Sequence, residues 1–159
     1  MVNWPALLVF IAINCAAAGT GGVFRPGQWY ETLRKPSWTP PNWLFGPAWS
    51  VLYAMSAFAG YLVYVSAPAD ALVVPLGFYA LQLVLNGLWS AIFFGMKRPD
   101  IAFGELVLLW LSILGTIVAF WAVRVDAALL LVPYLAWVTF AGALNYAVWR
   151  LNAPSRQTA

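Results

Sequence analysis

The chain has 159 residues, 64% of them hydrophobic and only 8% charged, so there is too little polar surface to cover a water-soluble globule of this size. It contains no histidine and a single cysteine, Cys15. An internal disulfide and a cysteine-cluster metal site are therefore excluded, and the commonest metal ligand, haem axial ligand and general base are missing. The formal charge of +3 comes from eight scattered lysines and arginines rather than a basic stripe, so the expected partner is a lipid bilayer and not nucleic acid.

A bilayer core takes about 20 apolar residues per helix, and residues 4–23 form the first such run. No basic region precedes it, so it reads as a retained span and not as a cleaved signal peptide. A long connection, 24–42, follows; the prolines of "KPSWTPPN" stop helix formation there and predict an ordered cap bearing tryptophans. Four further spans are expected at 43–65, 71–95, 102–123 and 127–149. Backbone groups in lipid must be satisfied within each segment, which makes all five helical. The connections "SAPAD", "MKRPDI" and "RVD" are short, so consecutive spans are antiparallel neighbours.

The predicted architecture is all-α, one bundle of five transmembrane helices over residues 1–152, with a polar and disordered tail, 153–159. Arg25, Arg34, Lys35, Lys97, Arg98, Arg150 and Arg156 fall on one side and Arg124 alone on the other. The positive-inside rule then places the long first loop and the C-terminus in the cytoplasm and favours an inner membrane.

Trp43 suits the interfacial aromatic belt. Trp49 and Tyr53 lie deeper, four residues apart on one helical face, where their polar groups need partners. Gln82, Asn86, Trp89 and Ser90 form a polar stripe at the centre of the third span, facing either a cavity or neighbouring helices that they bind as packing glue. The fifth span brings Pro133, Trp137, Ala141 and Asn145 toward one side; Thr139 is off that stripe and is expected to bond its own helix backbone. The fourth span offers Glu105, Leu109, Ser112 and Thr116, with Glu105 expected in a structural ion pair with Lys97, Arg98 or a first-loop cation. Gly87, Ala91 and Gly95 make a small-residue strip read as a homodimer seam, with tight packing inside one chain as the alternative.

The stretches "KPSWTPPNWLFGPAWSVLY", "LNGLWSAIFFG", "PYLAW" and "LNYAVWR" together resemble the TspO/MBR family of tryptophan-rich sensory proteins and translocator proteins, also called peripheral benzodiazepine receptors. The resemblance covers about residues 19–152 and is that of a bacterial member. It implies a five-helix, generally dimeric membrane protein whose pocket beneath the first loop binds tetrapyrroles such as protoporphyrin IX, sterols and aromatic drugs. Carried onto this sequence, it implies ligand binding by Trp49, Tyr53, Asn86, Trp89 and Trp137, to which the stripe above adds Asn145. Trp29 and Trp38 match the lid, and Leu144, Tyr146 and Arg150 match the sterol motif. Animal members carry a Trp near the position of Ile101, so a different drug affinity is expected.

The resulting expectation is a binding protein for porphyrins and other flat hydrophobic ligands, with no cofactor and no metal of its own, acting in tetrapyrrole transport or sensing and so in regulating their synthesis. Trp and Tyr faces would stack on the disc while Arg25, Arg34 or Lys35 meet its carboxylates. No paired carboxylates or Ser–His set equips the chain for conventional catalysis. The resemblance supplies one enzymatic alternative, light- and oxygen-dependent porphyrin degradation with Trp38 and Trp137 as the reactive aromatics. A dimeric membrane scaffold is the second alternative.

Overall fold

The structure is a computed structural model that describes residues 2–153. The expected tail falls outside the described residues except for Ala153, as does Arg156. Among the described residues all regular structure is helical: α1 Trp4–Val23, α2 Gln28–Thr32, α3 Asn42–Tyr64, α4 Val73–Ser90, α5 Pro99–Trp121, α6 Val125–Leu130 and α7 Val132–Asn152. A 3-10 turn, Ala69–Leu72, leads into α4, and a π-helical turn, Ala91–Gly95, extends it.

The ends follow local chemistry. Asn3 caps α1, its side chain accepting from the Ala6 N–H at 3.2 Å, with Pro5 just inside the start. Pro133 stands at the beginning of α7; it has no N–H to continue the preceding turn, so the last apolar run, expected as one helix, divides into α6 and α7 at Leu131. Pro47 is the sixth residue of α3, which starts at Asn42. The first loop is not all extended: α2 forms within it.

Among the described residues four stretches are long and apolar enough to cross a membrane: Trp4–Val23, Ala69–Gly95, Pro99–Trp121 and Val125–Asn152. The fifth long helix, α3, has 23 residues and no charge, but its Trp, Tyr, Ser, Gly and Pro content leaves it outside that set.

Packing locates the site. α4 lies along α5, and α5 along α7, while α1 packs on both α3 and α4. Gly60 permits a close approach of α3 to α1 and α4, since a Cβ there would stand 2.7 Å from the Phe10 ring and 2.8 Å from Tyr79 Cζ. At its far end α3 rests on α6, and Arg124 bonds Ser66 at 3.2 Å while it holds Asp126 at 2.8 Å. Toward the first loop, however, α3 stands off from α4 and α7.

Candidate ligand cavity

The space that α3 leaves is a cavity of about 970 Å³, at the upper end of the range of small-molecule sites. Its wall is assembled from α1, α3, α4, α5 and α7, with Pro26 and Tyr30 of the first loop and Asn42 at the mouth. Six expected ligand-facing residues lie on that wall: Trp49, Tyr53, Asn86, Trp89, Trp137 and Asn145.

Their polar groups are tied in two chains that cross between helices. The Tyr53 hydroxyl donates to Asn86 Oδ1 at 2.5 Å, and Asn86 Nδ2 donates to the Tyr134 hydroxyl at 2.6 Å. Trp89 Nε1 donates to Asn145 Oδ1 at 3.0 Å, and Asn145 Nδ2 donates to the Pro99 carbonyl at 2.7 Å. The second chain holds the Trp89 ring, which stacks on Phe93 at 4.9 Å. Trp49 packs on Tyr53 and Tyr134, with centroids 5.6 and 6.0 Å apart. Trp137 meets Phe45 at 5.8 Å, and its buried Nε1 has no partner.

Two cations stand by wall residues: the Lys35 ammonium sits 4.3 Å from the Tyr30 ring centroid, and Arg25 Nε donates to the Gly22 carbonyl at 2.7 Å. Burial raises the Tyr30 phenol above its ordinary pKa, so it remains a neutral donor beside the Lys35 ammonium.

Other expectations come out differently. Trp29 and Trp38 do not reach the wall: Trp29 packs edge-on against Phe93, and Trp38, 48% exposed, packs on Phe140. Among the described residues Glu105 has no ion pair: it is buried with both carboxyl oxygens unpartnered, and Arg98, one of its expected partners, is held by Asp100 at 2.6 and 2.9 Å. The small-residue strip faces α1 of the same chain. A Cβ on Gly87 would meet Thr20 at 3.4 Å and one on Gly95 would meet Phe24 at 2.9 Å, so these two glycines allow a close approach to the C-terminal end of α1 within the chain. Gln82 is buried away from the cavity with its amide unpartnered, whereas Ser90 lines it.

The sterol motif divides: Leu144 faces the cavity, while Tyr146 and Arg150 point outward, Tyr146 into a shallow outer groove with Phe103, Trp110 and Gly142. Thr139 bonds the Leu135 carbonyl at 2.8 Å as expected, and also accepts from Trp110 Nε1 at 2.8 Å. Ile101 is exposed and off the wall.

Sequence reasoning missed Asn14, Phe45 and Tyr30 on the wall and Tyr134 behind it. Asn14 had a legible signal, a side-chain amide midway along an otherwise apolar span. Tyr134 had none beyond its neighbour Pro133.

A profile of the TspO/MBR family matches residues 8–150. Protein CrtK of Rhodobacter capsulatus is 51% identical over 144 residues, covering 90% of this chain and 89% of its own. The tryptophan-rich sensory protein of Cereibacter sphaeroides is 40% identical over 151 residues, 95% and 94% of the two chains. The human translocator protein is 45% identical over 154 residues, covering 94% and 91%.

Proposed function

The chain belongs to the TspO/MBR family of membrane proteins, and from that premise we propose that it binds tetrapyrroles, protoporphyrin IX foremost, together with other flat hydrophobic ligands, and acts in their transport or sensing. Regulation of tetrapyrrole synthesis would follow from that role. In this reading α3 is a fifth membrane span, the first loop and the C-terminal end are cytoplasmic, and the host is an inner membrane.

The observation that carries the proposal is the cavity wall itself. Trp49, Trp89 and Trp137 arrive from three different helices around one 970 Å³ space, while Lys35 and Arg25 stand by the wall residues Tyr30 and Gly22. A planar aromatic guest gains from those faces by offset and edge-on packing, and its carboxylates meet cations at the aqueous end. The chain has no histidine, so recognition rests on shape and stacking and extends to metal-free porphyrin.

The test is quenching of tryptophan emission in detergent or nanodiscs during titration with protoporphyrin IX. Saturable quenching that weakens in Trp49→Ala and Trp137→Ala supports the proposal. A linear, non-saturating response sinks it and leaves the dimeric scaffold as the leading account.

One observation favours the photodegradation reading: Trp38, Phe140, Trp137 and Phe45 form a continuous aromatic series with centroid steps of 5.8, 5.6 and 5.8 Å. It joins the cavity wall to an exposed ring. Under light and oxygen, porphyrin bleaching faster with protein than without it, and slowed in Trp38→Phe and Trp137→Phe, supports that chemistry; equal bleaching in all samples removes it and leaves binding intact.

A further inference from the structure

Most hydroxyls of the long helices are spent on their own backbone: Thr20, Ser50, Ser112, Thr116 and Thr139 each donate to a carbonyl three or four residues back, at 2.7–2.9 Å. Two helical serines depart from this. Ser56 has no partner and is sealed in the packing between helices. Ser90 has no partner among the described residues either, yet it is half-buried and not sealed, and it lies on the cavity wall. It follows Asn86 by four residues and Leu83 by seven, both buried, whereas the outer face of α4 carries the exposed Leu81, Val84 and Leu88. What stays open at Ser90 is therefore the side toward the cavity.

The hydroxyl also has room. A Cβ added to Gly21 would stand 3.8 Å from Ser90 Oγ, and one added to Gly22 would meet nothing within 4 Å, so the last turn of α1 leaves bare backbone beside the oxygen. The Gly22 carbonyl holds Arg25 through Nε at 2.7 Å. Among the described residues the two terminal amino groups of that guanidinium take no acceptor, and together they form a fork suited to a carboxylate. An uncommitted O–H and an uncommitted fork thus stand beside consecutive residues of one helix turn, where α1 enters the first loop.

A hydroxyl beside a cation donates, and the group that accepts from both is an anionic oxygen pair. We propose that Ser90 and Arg25 together hold one carboxylate of the guest, the hydroxyl donating to one oxygen and the guanidinium to the other. The cavity then selects porphyrins that carry a carboxylate toward the end of α1 over those with alkyl groups alone. Trp89, the preceding residue on the same wall, offers a face to the disc from which that carboxylate extends. The inference rests on the tetrapyrrole-binding reading above and adds a hydroxyl and one particular cation that read the guest's charge.

Mesoporphyrin IX and etioporphyrin III make the probe pair, since the second is the first without its two carboxyl groups. Both are titrated by tryptophan quenching in the same nanodiscs, against wild type, Ser90→Ala and Arg25→Gln. Each variant is expected to weaken mesoporphyrin binding at least about tenfold, the factor for ~1.4 kcal/mol and the low end for a hydrogen bond to a charged group. Etioporphyrin binding should stay near the wild-type value, and Ser90→Ala should melt with the wild type, because no protein group depends on its hydroxyl. Mesoporphyrin affinity within about twofold of wild type in either variant overturns the proposal. So does an equal loss for both porphyrins, which would assign the side chain to packing.

Wild type alone supplies a second test. Mesoporphyrin should bind about tenfold or more tightly than etioporphyrin, and equal binding overturns the proposal even if neither variant folds. Saturable binding of both porphyrins without discrimination sinks this inference only, whereas saturation by neither removes the tetrapyrrole reading as well.

Discussion

Arg34 and Asn152 are joined by a reciprocal pair of hydrogen bonds: the Arg34 N–H donates to Asn152 Oδ1 at 3.0 Å, and Asn152 Nδ2 donates to the Arg34 carbonyl at 2.9 Å. One side chain at the last turn of α7 thus satisfies both backbone groups of a first-loop residue 118 positions away. Lys35, the next residue, is the cation that sits over Tyr30 at the cavity mouth. The clasp is what fixes that cation in place.

Asn152→Leu removes both bonds at once. At about 1 kcal/mol each, amide exchange across residues 33–35 should speed up by about thirtyfold. Global stability should change little, because the site is exposed. Exchange measured by mass spectrometry checks this; unchanged protection would show that the loop is held elsewhere.

Asn86 sits between two phenols, so its loss should cost more than the loss of either. Asn86→Leu leaves the Tyr53 and Tyr134 hydroxyls without their shared partner, an expected loss of about 1–3 kcal/mol. Tyr53→Phe removes one bond at the periphery of the chain, nearer the ~0.6 kcal/mol typical between membrane helices. Thermal midpoints in detergent should fall in that order, and porphyrin affinity should fall with them.

Cys15 is the chain's only thiol, exposed and on the cavity wall. A maleimide should label it in the empty protein, and a saturating porphyrin should slow labelling at least about fivefold. Cys15→Ser should bind porphyrin as wild type does. Labelling indifferent to porphyrin would place the guest outside the cavity.

Two glycines should respond in opposite ways. Gly60→Ala drives a methyl into the rings of Phe10 and Tyr79, and Tyr79 cannot retreat without breaking its bonds to Asn14 and Ser56, so about 1–3 kcal/mol should be lost. Gly104 has open space where a Cβ would go, and Gly104→Ala should stabilise α5 by about 0.5–1 kcal/mol. Melting temperatures of the two variants decide both.

The helices were legible because a bilayer demands length and apolarity, and both are local properties of the sequence. α1 matches its expected bounds, and the others shift by one to three residues or divide where proline withholds an N–H. Trp49, Tyr53, Asn86, Trp89, Trp137 and Asn145 share one wall because helical spacing fixes their faces. What spacing cannot fix is which neighbour a face meets. The Gly87–Gly95 strip was readable as close-packing, but whether α1 or a second chain fills it depends on tertiary arrangement. Glu105 was assigned a cation by proximity in sequence, and Asp100 was nearer to that cation. Trp29 and Trp38 belong to a loop whose path no periodicity describes.

The composition of α3 has a consequence for biogenesis. The aromatic and small residues that make this helix a wall, Gly46, Trp49, Ser50 and Tyr53, are also those that weaken its partitioning from the insertion machinery into lipid. A nascent chain ending at Val65 should integrate its first segment efficiently and its second poorly. The second should settle only when α4 and α7 emerge and give Tyr53 and Trp49 something to hold, so the part of the molecule that receives a guest is assembled late, by its neighbours.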